Sequence, residues 1–152
     1  MAQITRGRAC AIVRQGDRIL LNRYGGDSFW ALPGGAIEAG EFSPDGLRRE
    51  MMEELGVAVA VGRLVWVIEN LFEYRDKQFT EYGFYYEAAW PARAPTATRE
   101  FQGLEADQFF RWASATEVPA LDFRPSGLKP PVLALMSGVE SASLQHFRFS
   151  GK

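Results

Sequence analysis

The sequence predicts an α/β fold, and three observations carry that prediction. Within residues 35–57, Leu47, Met51 and Leu55 lie along one stripe of a helix, while Arg49, Glu50, Glu53 and Glu54 fall at helical spacing on another face. On both sides lie runs rich in Val, Ile and aromatic residues, bounded by Gly, Pro and polar tracts, which read as strands. A chain of 152 residues that is 47% hydrophobic and 24% charged has the size and composition of one domain with a sizeable core.

Taken in order, residues 8–13 and 18–22 are short apolar runs separated by Gln15-Gly16-Asp17, the pattern of a hairpin. Arg23 and Tyr24 end the second strand before a turn at Gly25-Gly26-Asp27, and Phe29 to Leu32 leads into Pro33-Gly34-Gly35. Gly40-Glu41 forms another turn, Ser43 is placed to cap the following helix, and Pro44 suits its first position. Gly46 lies one turn before Glu50, where a side chain would crowd the carboxylate face. Residues 57–69 read as a long strand with Gly62 as a bulge or bend, EYRDKQ (73–78) as a polar turn, and residues 80–90 as a second long strand. In that strand Tyr82, Phe84 and Tyr86 share one face, and such a stripe is more often core than a stacking platform. Residues 91–103 are read as a surface loop, 108–112 as a strand, 116–121 as a helical turn, and Pro130-Pro131 as the start of a helix ended by Gly138. The tract containing His146 is open between a last strand, a dimer contact and a loose end.

A net charge of -2 and a pI near 5.5 provide no basic footprint, so no polynucleotide partner is expected. Cys10, the single cysteine, sits in an apolar run and reads as a buried core thiol. With no long apolar N-terminal region and no segment of membrane-spanning length, no membrane association and a cytoplasmic location are expected.

The chemistry concentrates in residues 35–57. An acidic helix face alone is most often a solvated surface, but like charges three and four residues apart cost about 0.2–0.5 kcal/mol per pair unless something neutralises them. Glu50, Glu53 and Glu54, with no Cys or His nearby, are hard oxygen donors suited to Mg²⁺ or Mn²⁺. The spacing of Gly35, Glu41, Arg49, Glu50, Met51, Glu53, Glu54, Gly56 and Val57 meets every fixed position of the Nudix box, and the stretch resembles that of the Nudix hydrolase family, MutT-like proteins included.

That resemblance implies a mixed β-sheet between α-helices in one domain over residues 1–152, with a core from about 8 to 137 and a C-terminal tail from 138 to 152. It implies metal-dependent hydrolysis of a phosphoanhydride in a nucleoside diphosphate linked to another group, by attack of metal-activated water on phosphorus. Glu50 and Glu54 would bind metal through their side chains, Gly35 through its carbonyl, and Glu53 a further metal or its water. Arg49, paired with Glu41, would orient the carboxylates. The general base stays open between Glu53 and a loop carboxylate, Glu105 first and Glu100 second. Arg23 is either a substrate-phosphate ligand or an exposed strand-end arginine. Tyr74 stands near the place of a tyrosine found in diadenosine polyphosphate hydrolases, whereas no proline between Gly56 and Tyr74 matches the ADP-ribose enzymes. Nucleoside triphosphates, ADP-ribose, nucleotide sugars and dinucleoside polyphosphates all remain substrate classes. A homodimer is compatible with the family. The alternatives are a catalytically silent nucleotide-binding or regulatory module and an isomerase of the same fold.

Overall fold

Period-2 alternation decides how the first strand is used. In the computed structural model, which describes residues 1–94, 96–97, 99–139 and 143–152, β1 (Ala2–Ile12) turns Ala9 and Ala11 to one core and Cys10 and Ile12 to another. The short β2 (Arg14–Gln15) and then β3 (Arg18–Tyr24) follow, but they belong to a different sheet. The expected hairpin therefore exists between β2 and β3, with Gln15 opposite Arg18, while the apolar run of residues 8–13 pairs elsewhere. The chain changes sheets at Val13, whose carbonyl accepts the Leu20 N–H at 3.0 Å.

The first sheet is mixed and five-stranded. β1 lies between β4 (Gly34–Ala36), antiparallel to it, and β6 (Lys77–Ala89), parallel to it. Beyond β6 come β5 (Ala60–Tyr74), antiparallel to β6, and β9 (Gln145–Ser150), parallel to β5. The second sheet is antiparallel, in the order β2, β3, β8 (Gln108–Ser114), β7 (Phe101–Gln102). Helix α1 (Ser43–Leu55) packs Leu47 and Met51 against Ala9, Leu20, Tyr86, Phe110 and Trp112. Helix α2 (Lys129–Met136) packs Val132 and Leu135 on the other core, with Ile12, Leu21, Trp66 and Phe123. A mixed sheet between helices is the observed arrangement.

Local chemistry explains most of the joints. Arg75 and Asp76 adopt φ of 48° and 60°, making the EYRDKQ tract a two-residue turn whose twist matches that of its strands. The β5–β6 register slips between Val61 and Trp66, next to Gly62, so the bend falls at the predicted glycine. Ser43 does not cap α1: the N-cap is Phe42, and the Ser43 hydroxyl shares a 2.6 Å hydrogen bond with the Tyr86 hydroxyl. Cys10 is fully buried, and burial pushes its thiol up to about 11, the character of an inert core residue.

Strand pairing runs past both expected limits of the core. β1 is paired from Ala2 onwards, and β9 lies within the anticipated tail, where Phe147 and Phe149 pack against the α2-side core and Phe147 meets Trp66 edge-on at 6.3 Å. Residues 95 and 98 of the 91–103 loop and 140–142 of the tail lie outside the described residues. Among the described residues, no helix is long and apolar enough to cross a membrane. Because Phe147 is partly buried, Phe147→Ala is expected to lower the unfolding free energy by about 2 kcal/mol, less than a fully buried ring, as read from the denaturation midpoint.

Candidate active site

Close backbone approach builds the floor of the site. A Cβ on Gly34 would strike the Ala9 carbonyl and stand 2.8 Å from the Cys10 Cα, so β4 can lie against β1 only as glycine. A Cβ on Gly35 would fall within the Glu50 carboxylate, which brings the Gly35 backbone directly against that side chain. Gly56, at φ 66°, ends α1 and donates its N–H to the Met52 carbonyl at 2.9 Å.

Arg49 joins the helix to this floor. Its guanidinium donates to Glu41 Oε1 at 2.7 Å and Oε2 at 3.1 Å, to Glu50 Oε1 at 2.9 Å, to Glu53 Oε2 at 3.3 Å and to the Ala36 carbonyl at 3.0 Å. Glu41 also accepts the Glu38 N–H at 2.8 Å, and Arg49, then that N–H, hold its carboxyl below the usual range. The Arg49–Glu41 pairing that the family resemblance implies is present. Gly46 makes room for it, since a Cβ there would stand 2.8 Å from Glu41 Oε1.

The three helix carboxylates do not act as one comb. Leu47, Met51 and Glu54 are spaced four and then three apart, so Glu54 follows the buried stripe and is 2% exposed. Its Oε2 has no hydrogen-bond partner. Burial first, and the neighbouring Glu50 second, push its pKa up to about 8, while the Gln108 amide opposes the shift. Glu53 instead is 51% exposed and engages Arg49. The structure thus brings together Glu50, Glu54 and Gly35 and leaves Glu53 at the rim. Among the described residues, no three acidic, His or Cys side chains converge as a ready cage.

A cavity of about 290 Å³ opens from Gly34, Gly35 and Ala36 towards Tyr74. Its walls carry Arg6, Arg8, Arg23, Arg75 and Arg124, with the rings of Phe29 and Phe72. Arg23 is a wall residue whose guanidinium lies over Trp30 and Phe109, 5.4 and 4.9 Å from the ring centroids, and pairs with Glu100. The Tyr74 hydroxyl donates to Asp27 Oδ2 at 2.6 Å, and burial together with that carboxylate pushes its pKa up to about 12. Glu105 is exposed, one residue beyond Leu104, whose N–H donates to the Glu54 carbonyl at 2.7 Å, so its loop is pinned beside the site. His146 lies away from these groups and shares a 2.8 Å contact with Glu69. The sequence does not announce Gln108 or Asp27; for Gln108 the available signal is a lone amide heading an apolar strand.

Fold and site together define an α/β protein with a helix-borne carboxylate cluster at the edge of an arginine-lined cleft. The NUDIX domain model matches residues 4–134, and the chain belongs to that family. A MutT-like protein from Streptomyces ambofaciens is 39% identical over 62 residues, and the match takes in 41% of this chain and about 40% of that relative's length. Similar solved structures include a NUDIX hydrolase from Nitrosomonas europaea, with TM-score 0.66 and 19% identity, covering 97% of this chain and 79% of that one. An ADP-ribose pyrophosphatase from Streptococcus suis gives 0.60 and 15%, covering 95% and 98%. A MutT protein from Bacillus halodurans gives 0.63 and 22%, covering 95% and 89%. At these identities the structural likeness carries the fold.

The raised Glu54 pKa has a stability consequence. Between the ordinary value of 4.5 and about 8 the folded metal-free protein binds a proton that the unfolded chain has released, so this group's stabilisation is complete below 4.5 and lost as pH rises towards 8. The melting temperature of the metal-free protein should therefore fall across that window, and in Glu54→Gln the component due to this group should disappear.

Proposed function

We propose that the protein is a divalent-metal-dependent pyrophosphohydrolase that cleaves a phosphoanhydride in a nucleoside diphosphate linked to another group. The observation that carries this reading is the buried Glu54 carboxylate, with an unpartnered oxygen, beside Glu50 and the Gly35 backbone at the edge of the arginine-lined cavity. Two adjacent carboxylates and a backbone carbonyl are hard oxygen donors, which fit Mg²⁺ or Mn²⁺. Such an ion supplies charge neutralisation at the phosphates and a lowered pKa for its coordinated water.

The chain's own residues divide the remaining work. Glu50, Glu54 and the Gly35 carbonyl hold the ion, with Arg49 and Glu41 fixing the orientation of Glu50. Glu53 and Glu105, both exposed at the rim, are the proton acceptors to compare. The cavity arginines favour a polyanionic substrate, and its volume favours a small molecule over a polymer. Phe29, Phe72 and Tyr74 offer apolar and aromatic surface to the nucleoside end.

A panel of nucleoside triphosphates, oxidised nucleotides, ADP-ribose, nucleotide sugars and dinucleoside polyphosphates, assayed with Mg²⁺ and Mn²⁺, tests the reading and selects the substrate. Cation binding without turnover of any class would instead mark a nucleotide-binding module. Glu54→Gln should reduce metal-dependent kcat by at least about 100-fold while far-UV circular dichroism stays native. Glu53→Gln and Glu105→Gln, compared by kcat against pH, separate the two bases: the variant that loses the acidic limb and at least about 100-fold in rate identifies the acceptor.

A further inference from the structure

We propose that Gln108 is a positioning residue of the cation site, its carboxamide orienting the Glu54 carboxylate from outside the motif of residues 35–57. The inference rests on the functional reading above. Gln108 is 0% exposed, and neither its Nε2 nor its Oε1 makes a hydrogen bond of good geometry, yet the amide lies near enough to the Glu54 carboxyl to favour its ionised form. Leaving a buried amide unpaired costs about 1–3 kcal/mol, which nothing in the apolar packing around β8 requires, since Phe110 and Trp112 follow it on the same face.

The surrounding backbone ties Gln108 to Glu54. The Gly103 N–H donates to the Gln108 carbonyl at 2.9 Å, the next residue's N–H donates to the Glu54 carbonyl at 2.7 Å, and a Cβ on Gly103 would stand 2.7 Å from that same carbonyl. Across the β3–β8 ladder, Tyr24 pairs with Gln108 and Asn22 with Phe110, so Asn22 is a diagonal neighbour of Gln108; it too is buried, with an unpartnered Oδ1. Unpaired polar atoms of Asn22, Glu54 and Gln108 thus come from three neighbouring positions. An ionised Glu54 facing a cation accepts from Gln108 Nε2 and completes the most deeply buried of these groups, which fixes which lone pairs it presents to the ion.

The test is Mn²⁺ titration of the full chain by isothermal calorimetry, alongside thermal melting of the metal-free protein. Gln108→Met keeps the length and removes both polar atoms, so Mn²⁺ affinity should fall about 10-fold while the metal-free melting temperature holds or rises. Affinity within twofold of wild type overturns the proposal, and so does a loss of affinity that comes with a lower melting temperature, because a core residue alone would give that. If Gln108→Met does not fold, Gln108→Glu carries the test: it keeps an acceptor but has no amide donor, and should weaken binding, whereas tighter binding would make residue 108 a ligand and overturn the positioning role. Absence of Mn²⁺ binding by the wild-type chain would instead fail the underlying functional reading.

Discussion

One guanidinium holds the site together. Arg49 reaches back from α1 to Glu41 in the preceding loop and to the Ala36 carbonyl at the end of β4, and along its own helix to Glu50 and Glu53. Without it, Glu50 and Glu53, three residues apart on the helix, would repel each other and the loop would lose its tie to the helix. A planar fork of donors suits this task, because several acceptors in one plane can be bound at once; an ammonium at the end of a flexible chain could not span them. The glycines complete the constraint by bringing β4 against β1 and Gly35 against Glu50.

Glu54 is held by a different force. It is carried inward by the helix stripe that buries Leu47 and Met51, so hydrophobic packing, not charge pairing, sets its position. The apolar surface buried by that stripe offsets the penalty of taking a carboxylate out of water. The site therefore has an exposed half organised by Arg49 and a buried half organised by the core. Under the proposed function, a cation would relieve the tension between packing and ionisation in the buried half.

Features that depend on local spacing were legible in the sequence. The helix, the buried Cys10 and the bend at Gly62 all follow from neighbours a few residues apart, whereas the Arg49–Glu41 pair came from the family resemblance. Those that depend on distant register were not. Nothing local says that β1 abandons the β2–β3 hairpin for β6, some 75 residues away, or that Ser43 finds Tyr86 in place of the helix N-terminus. The split between Glu53 and Glu54 was readable in principle, because Glu54 continues the Leu47–Met51 stripe, yet a face drawn only from its charges conceals it. Gln108 and Asp27 acquire meaning only once β8 and the loop after β3 are set beside α1 and β5.

The change of sheet at Val13 gives the cleft a bound edge and a free one. Arg8 and Asn22 face the cavity from strands joined through that crossing, where Ala11 and Leu20 donate to the carbonyls of Pro33 and Val13. Covalent chain and backbone hydrogen bonds act there as the spine of a book. The opposite rim is fastened by single hydrogen bonds, from the Tyr74 hydroxyl to Asp27, from the Ser126 hydroxyl and N–H to the Lys152 carbonyl, and from the Gly151 N–H to the Leu71 carbonyl. Widening the cleft at that rim means parting hydrogen bonds alone, whereas widening it at the spine means separating paired strands.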